Sequence, residues 1–331
     1  MGIFNFFRKK TKLASFKEET QSKDENQKKN QKPIREVVDF FNTQSFEELI
    51  RIACENADMS NYYDDVFKLV KPSILMLSEQ DDSIDQIIGA SKVGGIPDVP
   101  KGFDWPKREQ LYLSFLLQIN CKDLPVNSFK ELPKKGLISV FFGFDNDLAS
   151  TSPDNTGFGQ MYYFDEEELN RIQCPNQVQV FSPCKVSYIN YPSLPHLYDD
   201  NSRELWNLDF LKKEEDLDDG YSNIEWNLEK LSGLSGVSYH KPRHQLFGYS
   251  QSVQSENIEV IIAKSRLDID KKFKDFSKNE LEKVLNQKLV LQVNEDSNAG
   301  IQLIDSGKIY YVGEKKNENL NDDLWTFVDF G

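Results

Sequence analysis

Long apolar runs are absent from this chain of 331 residues. It contains no stretch of about 18 consecutive apolar residues, so the sequence predicts no membrane-spanning helix. Cysteine is also scarce: Cys54, Cys121, Cys174 and Cys184 stand far apart, without a Cys-x-x-Cys pair. This spacing favours reduced thiols in the cytoplasm over a disulfide framework. No secretory signal is expected either, because the apolar part of residues 1–7 is too short.

The glycine-rich loops of nucleotide-binding proteins are missing too. The sequence has no Gly-x-x-x-x-Gly-Lys loop, no Gly-x-Gly-x-x-Gly turn and no Gly-x-Ser-x-Gly elbow. Nucleotide chemistry and an exposed serine nucleophile therefore have no candidate residues.

Histidine is limited to three residues, of which His240 and His244 have the i, i+4 spacing of a zinc-binding helix. Pro242 lies between them and disrupts the helical geometry that would direct both rings at one metal. The sequence therefore predicts structural or surface histidines, with no cofactor and no metal.

Acidic clusters invite a test for calcium sites. An EF-hand alignment centred on Gly220 fails, because Leu217 and Trp226 fall on ligand positions. The run Asp145-Asn146-Asp147, with Asp154 nearby, allows a cation-binding loop or solvated turn carboxylates, and turn chemistry favours the second interpretation.

A stretch near the C terminus repeats one in the first half. Residues 116–120 read Leu-Leu-Gln-Ile-Asn, and residues 290–294 read Val-Leu-Gln-Val-Asn. After a polar loop, each copy continues with a glycine and a β-branched, aromatic run, which indicates two strands per copy. We therefore predict two related, fused halves, approximately residues 84–190 and 240–331.

Ordered motifs surround these strands. The first motif is Ser-Lys-Val-Gly-Gly-Ile-Pro-Asp-Val-Pro at residues 91–100, followed by Trp105-Pro106 and the first glutamine strand. The second is His-Gln-Leu-Phe-Gly-Tyr at residues 244–249, followed by Gln254. Together they resemble the signature of the YwqG-like family, bacterial domains of unassigned function.

The resemblance covers roughly residues 40–330 and implies one YwqG-like domain over residues 36–331. It departs from the family before the last strand pair, where the family usually carries Trp-Gly-Asp-x-Gly. Only Asp305 and Gly307 of that motif occur here.

The repeated glutamines carry the clearest positional argument. Strand alternation places Gln118 and Gln292 among apolar neighbours, and a buried amide needs hydrogen-bond partners. We expect each to bond the backbone of a neighbouring turn, either Gly94-Gly95-Ile96-Pro97 or Phe247-Gly248-Tyr249, and lining of a ligand site is the alternative. The glycine pair predicts positive φ or close chain approach, and Trp105 is expected in the core.

Charge divides the chain. Residues 1–35 hold 10 Lys/Arg against 4 Asp/Glu, whereas residues 36–331 hold 30 against 50, a net charge of −20. The basic segment is expected to be a disordered leader. Its residues 2–12 either touch an anionic membrane surface weakly or have no membrane role. The acidic body repels phosphate backbones, so no nucleic acid is expected to bind it.

Helices and strands are grouped, which predicts an α+β fold of largely antiparallel sheet with flanking helices. Helices are predicted at residues 34–41, 46–57 (with Ser45-x-x-Glu48 as a capping box), 62–77 and 165–172, around Gly220, and at 277–287. Strands are predicted at residues 84–90, 111–120, 137–144, 160–164, 178–181, 185–189, 258–263, 288–294, 308–312 and 324–329.

No residue set requires a particular chemistry, so the expected function is non-catalytic. We expect a protein-binding module, of an immunity or antitoxin type, whose acidic face covers a basic partner. The candidate face comprises Glu214, Glu215, Asp216, Asp218 and Asp219. Solubility alone is the other explanation of the acidity. The competing class is a hydrolase or small-molecule-binding protein whose site lies between the halves and uses acids and His244.

Deletion of residues 1–32 is expected to leave the melting temperature within a few degrees, because this polar segment buries little surface. Thermal unfolding followed by circular dichroism measures the effect. A large drop would show that Phe4, Phe6 and Phe7 pack on the body. Flotation with anionic liposomes, with and without the segment, tests the membrane interpretation separately.

Overall fold

A computed structural model describes residues 34–125, 129, 132–144, 153, 158–165, 168–197, 205–213, 217–231, 243–253, 257–303, 307–314 and 324–329. Its helices are α1 (Ile34–Thr43), α2 (Phe46–Asn56), α3 (Tyr63–Phe67), α4 (Leu217–Leu231), α5 (Ile258–Leu267) and α6 (Lys278–Leu285). Its strands are β1 (Lys71–Gln80), β2 (Lys92–Val93), β3 (Asp98–Pro100), β4 (Lys107–Arg108), β5 (Leu111–Tyr112), β6 (Ser114–Asn120), β7 (Leu137–Phe142), β8 (Gly159–Phe164), β9 (Leu169–Arg171), β10 (Cys184–Ser193), β11 (Arg243–Phe247), β12 (Gln287–Asn294), β13 (Lys308–Glu314) and β14 (Trp325–Asp329).

Ten strands form one antiparallel sheet in the order β14-β13-β12-β11-β1-β10-β2-β6-β7-β8. All residues of β1 pair with β10, so these two long strands form the centre of the sheet. Strands β11 to β14 continue beyond β1, and β2, β6, β7 and β8 continue beyond β10. The fold is therefore α+β with a large antiparallel sheet, and this prediction is confirmed.

The sheet curls until its two ends meet. Gly159 of β8 lies so close to β14 that a Cβ atom there would stand 2.1 Å from Thr326 Cγ2 and 2.8 Å from Tyr311 Cε1. The Tyr311 hydroxyl donates to the Phe141 carbonyl, 2.9 Å away, and links the two outer groups of strands again. One sheet face is thus turned inward, where residues from both groups form a single apolar core.

Helices cover the outer face of the sheet. The N-terminal helices and α4 bury the outward side chains of the central strands, among them Leu75, Leu77 and Ile189. Helix α5 packs Ile258 and Ile262 on the far strands β12 to β14. Helix α6 begins with a capping box, in which the Ser277 and Glu280 side chains each bond the other residue's backbone N–H. Among the described residues, no helix has the length and apolar character needed to cross a bilayer.

Two of the predicted helix and strand assignments around β1 are wrong. The helix predicted over 62–77 ends at Phe67, and residues 71–80 are the central strand instead. Pro72 cannot continue a helix, and pairing on both sides stabilises the extended conformation. The strand predicted over 84–90 is a 3-10 turn at Asp82–Gln86, because the Asp81 side chain accepts from the Ser83 N–H and caps it.

A strand was predicted at residues 258–263, but these residues belong to helix α5, so the predicted kind of secondary structure is wrong. Its apolar residues contact the sheet on one side and α6 with Phe273 on the other. A helix buried on two sides has no polar stripe, so its short apolar run is indistinguishable from a buried strand.

Three further predictions need correction. The helix predicted over 165–172 contains strand β9, which pairs with β3, and no strand forms at 178–181. Instead of separate short helices around Gly220, helix α4 runs continuously through this glycine. The missing side chain allows close packing, since a Cβ at Gly220 would lie 2.7 Å from Met59 Sδ.

Closure of the sheet predicts that Gly159→Ala destabilises the protein. The added methyl group cannot fit beside Thr326, so we expect a loss of about 1–3 kcal/mol in the free energy of unfolding, as for overpacked cores. Gly313→Ala is the matched control in β13, because the nearest atom to its Cβ is Val290 Cγ2 at 3.5 Å. Urea denaturation measures both. Equal midpoints for the two variants would contradict the close contact between the sheet ends.

Candidate functional site

A buried lysine organises the turn that follows β2. Lys92 is fully buried, and its Nζ lies 2.6 Å from Asp85 Oδ1 and 3.6 Å from Asp98 Oδ2. It also donates to the Ile96 carbonyl at 2.6 Å. Burial lowers the pKa of Lys92, and the hydrogen bond and charge of Asp85, together with the Asp98 charge, oppose that shift.

Gln118 completes this ion cluster. Its Oε1 accepts from the Asp98 N–H at 3.0 Å, while its Nε2 donates to the Ala90 carbonyl at 2.7 Å and to Asp98 Oδ2 at 2.8 Å. Arg171 Nη2 donates to the other carboxylate oxygen of Asp98 at 2.7 Å. The buried amide therefore bonds chain segments that flank the predicted turn, and its structural interpretation agrees with these contacts.

The glycine pair allows the turn to approach its neighbours. Gly94 and Gly95 have φ angles of 68° and 72°, in the left-handed region. A Cβ at Gly94 would lie 2.2 Å from the Ser182 carbonyl oxygen, and one at Gly95 would lie 2.5 Å from Asp85 Oδ1. The prediction of positive φ and close approach is confirmed. Pro97 of the same turn is buried.

Gln292 occupies the corresponding place in the second half. Its Oε1 accepts from the Gln251 N–H at 2.9 Å, and its Nε2 donates to Asn294 Oδ1 at 2.8 Å. The spacing along the chain is the same in both halves. Residue 92 pairs with Gln118 across the strands, and the N–H of residue 98, six positions later, donates to Gln118. Residue 245 pairs with Gln292, and the N–H of residue 251, again six positions later, donates to Gln292. Each glutamine strand also has a register shift centred two residues before its glutamine.

The second turn repeats the backbone of the first but not its charges. Phe247 and Gly248 have φ angles of 58° and 78°, in the places of Gly94 and Gly95. The position equivalent to Lys92 is Gln245, which donates to the Phe247 and Tyr249 carbonyls. A buried ion cluster is therefore specific to the first turn, among the residues described.

His244 is enclosed between strands. Its Nδ1 accepts from the Asn294 N–H at 3.3 Å, so Nε2 carries the proton and faces Asp296 Oδ2 at 3.2 Å. Burial opposes ionisation of Asp296, but hydrogen bonds from His244, Ser78 and the backbone hold its pKa below the usual value. Asp296 thus contributes stability that is present at neutral pH and is lost as pH falls through its folded-state pKa. Both side chains are fully buried, which closes His244 to substrate.

The remaining predicted residues are dispersed. Trp105 is half-buried, donates from Nε1 to the Leu113 carbonyl at 2.7 Å and packs edge-on against Phe141. The Tyr249 hydroxyl donates to the Leu69 carbonyl at 2.8 Å, and Gly307 is buried. Gln254 and Asp305 lie outside the described residues.

Few of the described residues could bind a metal ion. The described part of the chain contains no group of three or more His, Cys, Asp or Glu side chains that could hold a metal ion. The acidic run at 145–147, Asp154 and His240 lie outside the described residues. The four cysteines are free, and burial raises the pKa of Cys54 and Cys121 to about 11, so these two thiols are poor ligands and nucleophiles.

A charged cluster between α4 and the sheet was not predicted from the sequence. His196 Nδ1 lies 2.8 Å from Glu225 Oε2, and Arg243 Nη2 lies 2.5 Å from Glu229 Oε1. Burial lowers the pKa of Lys308 to about 8, and Arg243 acts in the same direction. The i, i+4 spacing of the two glutamates was the available signal. Opposite charges are matched across elements, so the cluster fixes α4 on the sheet.

The outward side of α4 carries a different set of residues. Asp219, Asn223, Trp226 and Lys230 are exposed and follow one helical stripe, and half of the Trp226 surface (50%) is accessible. Lys230 Nζ lies 5.0 Å from the Trp226 ring centroid. Asp218 is only partly exposed, and Glu214, Glu215 and Asp216 lie outside the described residues.

Most of the chain matches the model of a known protein family. The model of the family described as "Domain of unknown function (DUF1963)" matches residues 91–322, which include both glutamine strands and α4. No curated protein matches the chain.

The ion cluster predicts a large difference between two lysines that pair across β2 and β10. Lys92→Met leaves the carboxylates of Asp85 and Asp98 without their buried cation, so we expect a loss of about 3–5 kcal/mol in the free energy of unfolding. Lys185→Met is the control, because its pair with Glu79 is exposed and contributes about 0–1 kcal/mol. Chemical denaturation at neutral pH measures both variants, and equal losses would contradict a structural role for the cluster.

Proposed function

Because the chain belongs to the DUF1963 family, whose description gives no function, we propose a function from its surface: a non-catalytic module that binds a basic protein through the outward stripe of α4. The exposure of Trp226 is the observation that carries this proposal. Large aromatic side chains supply much of the binding energy in protein interfaces, and Trp226 belongs to none of the apolar clusters that the described residues form.

Charge defines the partner. Asp219 stands at the start of the same stripe, and the acidic residues 214–216 and 218 adjoin it in sequence. With a net charge of −20 over residues 36–331, the body attracts basic surfaces over a distance of about a Debye length, roughly 8 Å at physiological salt. A partner with lysines or arginines around an apolar recess for the indole would match both features.

Solubility and catalysis explain these features less well. Acidic residues alone would serve solubility, but an exposed tryptophan opposes it. For a hydrolase, the histidine expected to act as base is His244, and this residue is enclosed beside Asp296. The binding function therefore accounts for more of the surface than either alternative.

The finer features of the proposal come from the sequence. We place the chain in the YwqG-like group of bacterial proteins and in the cytoplasm, with weak membrane-surface contact by residues 2–12 as an additional hypothesis. An immunity or antitoxin role fits a protein that covers a basic partner. The matching hydrogen bonds of Gln118 and Gln292 support an internal duplication, which stays a hypothesis about the origin of the two halves.

Trp226→Ala is expected to weaken binding of the partner at least tenfold, mainly through faster dissociation. Charge reversal of Asp219 together with residues 214–216 should slow association and reduce its dependence on salt. The measurement has two stages: quantitative capture from the native cell with wild-type protein and variants, then binding kinetics of the purified partner at low and high salt.

Leu285→Ala is the matched control, because Leu285 is also an exposed apolar residue (38%) but lies on α6. Its partner binding should equal that of the wild type. A partner that is retained by Trp226→Ala and associates at a rate independent of salt would exclude the stripe as the binding surface.

A further inference from the structure

A cavity of about 440 Å³ opens where β10 leaves its neighbour. Strand β2 pairs with β10 only at Cys184 and Lys185, and from Val186 onward the described residues place no strand on that edge. Helix α1 takes over instead: Asn42 donates to the Tyr188 carbonyl and accepts from the Asn190 N–H. The gap between this edge and the chain around Ser91 is the cavity.

A serine and an aspartate form the polar wall of the cavity. Ser91 is buried, donates from Oγ to Asp123 Oδ2 at 2.6 Å and accepts from the Asn120 N–H at 2.8 Å. Its position is thereby fixed by two bonds. Among the described residues Asp123 has no cationic partner, so its carboxylate presents a negative charge to the cavity.

The third polar group is a buried phenol. Tyr188 is 6% exposed, and its hydroxyl lies near Ser91 and Asp123 without a hydrogen bond of normal geometry to any described group. Burial raises the pKa of Tyr188, although Ser91 opposes the shift, so the hydroxyl stays a protonated donor. A buried hydroxyl without a partner is destabilising, and a ligand acceptor would offset that cost.

Apolar residues from three elements also line the cavity, beside the polar residues Asn42 and Ser187. Val38 of α1, Ile84 and Val186 line the cavity. Lys185 also lines the cavity, but its Nζ is paired with Glu79 at 3.0 Å. Both side chains of this pair are about half exposed to solvent. An anion would have to break this pair and would then face the Asp123 carboxylate.

We propose that this cavity binds a small organic ammonium compound that also carries an oxygen acceptor. The ammonium group pairs with Asp123, the hydrocarbon part lies against Val38 and Val186, and the oxygen accepts from the Tyr188 hydroxyl. A cavity with an apolar wall and a few converging polar groups is the usual form of a small-molecule site. The cavity and the stripe on α4 share no residue, so this site is independent of the proposed protein-binding function.

Matched small ligands test the proposal on the full chain. Aminobutanol, butylamine, butanol and butyrate have the same carbon skeleton and differ in charge and in the oxygen. Titrations followed by NMR should show aminobutanol binding with a Kd at or below about 1 mM, and butanol and butyrate at least tenfold more weakly. The shifted amides should belong to residues 84–91, 123 and 186–188.

Variants assign the contacts. Asp123→Asn keeps an acceptor for Ser91 but removes the charge, and it should weaken aminobutanol binding at least tenfold. Tyr188→Phe removes an unpaired hydroxyl, so it should fold normally, weaken aminobutanol severalfold and leave butylamine unchanged. Lys185→Gln is the control and should preserve binding. Butyrate that binds as well as aminobutanol, unchanged affinity in Asp123→Asn, or the absence of shifts at the cavity would each overturn the proposal.

Discussion

Pairing of β1 with β10 holds the two outer groups of strands in one sheet. Each outer group reaches the centre through a single neighbour, β11 on one side and the two-residue β2 on the other. Because β1 and β10 pair along their whole lengths, they hold the two outer groups of strands at a fixed separation in the middle of the sheet. The outer groups curl towards each other on either side of this pair. The inward face then closes on itself at Gly159 and Tyr311, and the outward face is left for the helices.

The shortness of β2 shapes the rest of the first half. A strand that ends at Val93 must turn at once, and the positive φ angles of Gly94 and Gly95 make this turn possible. The turn brings Asp98 back to Lys92, so the ion cluster depends on the glycines. Because β2 ends early, no described strand lies beside the edge of β10 beyond Lys185, and the cavity beside Tyr188 is the consequence.

The fold could be predicted from the sequence further than the site. Grouped elements indicated the antiparallel α+β fold, and alternation placed Gln118 inside with a backbone partner near the glycine turn. Burial of Lys92 could not be predicted, because lysine is normally exposed and its partners come from separate turns. The cavity was equally hidden, since Val38, Asp123 and Tyr188 meet only through sheet topology. Trp226 became informative once α4 proved to run through Gly220.

Differences between the two similar turns indicate where specific function can reside. In both turns a backbone N–H donates to the glutamine Oε1, and this shared hydrogen bond fixes the backbone geometry. Groups that could meet a ligand or a partner lie elsewhere: Asp123 and the Tyr188 hydroxyl face a gap, and the Trp226 side chain faces solvent. Buried polar groups whose hydrogen bonds are all made stabilise the fold, whereas an unsatisfied group becomes favourable only when an external partner bonds to it. The repeated turns are therefore the scaffold, and the two proposed recognition sites are the β10 edge and the outward side of α4.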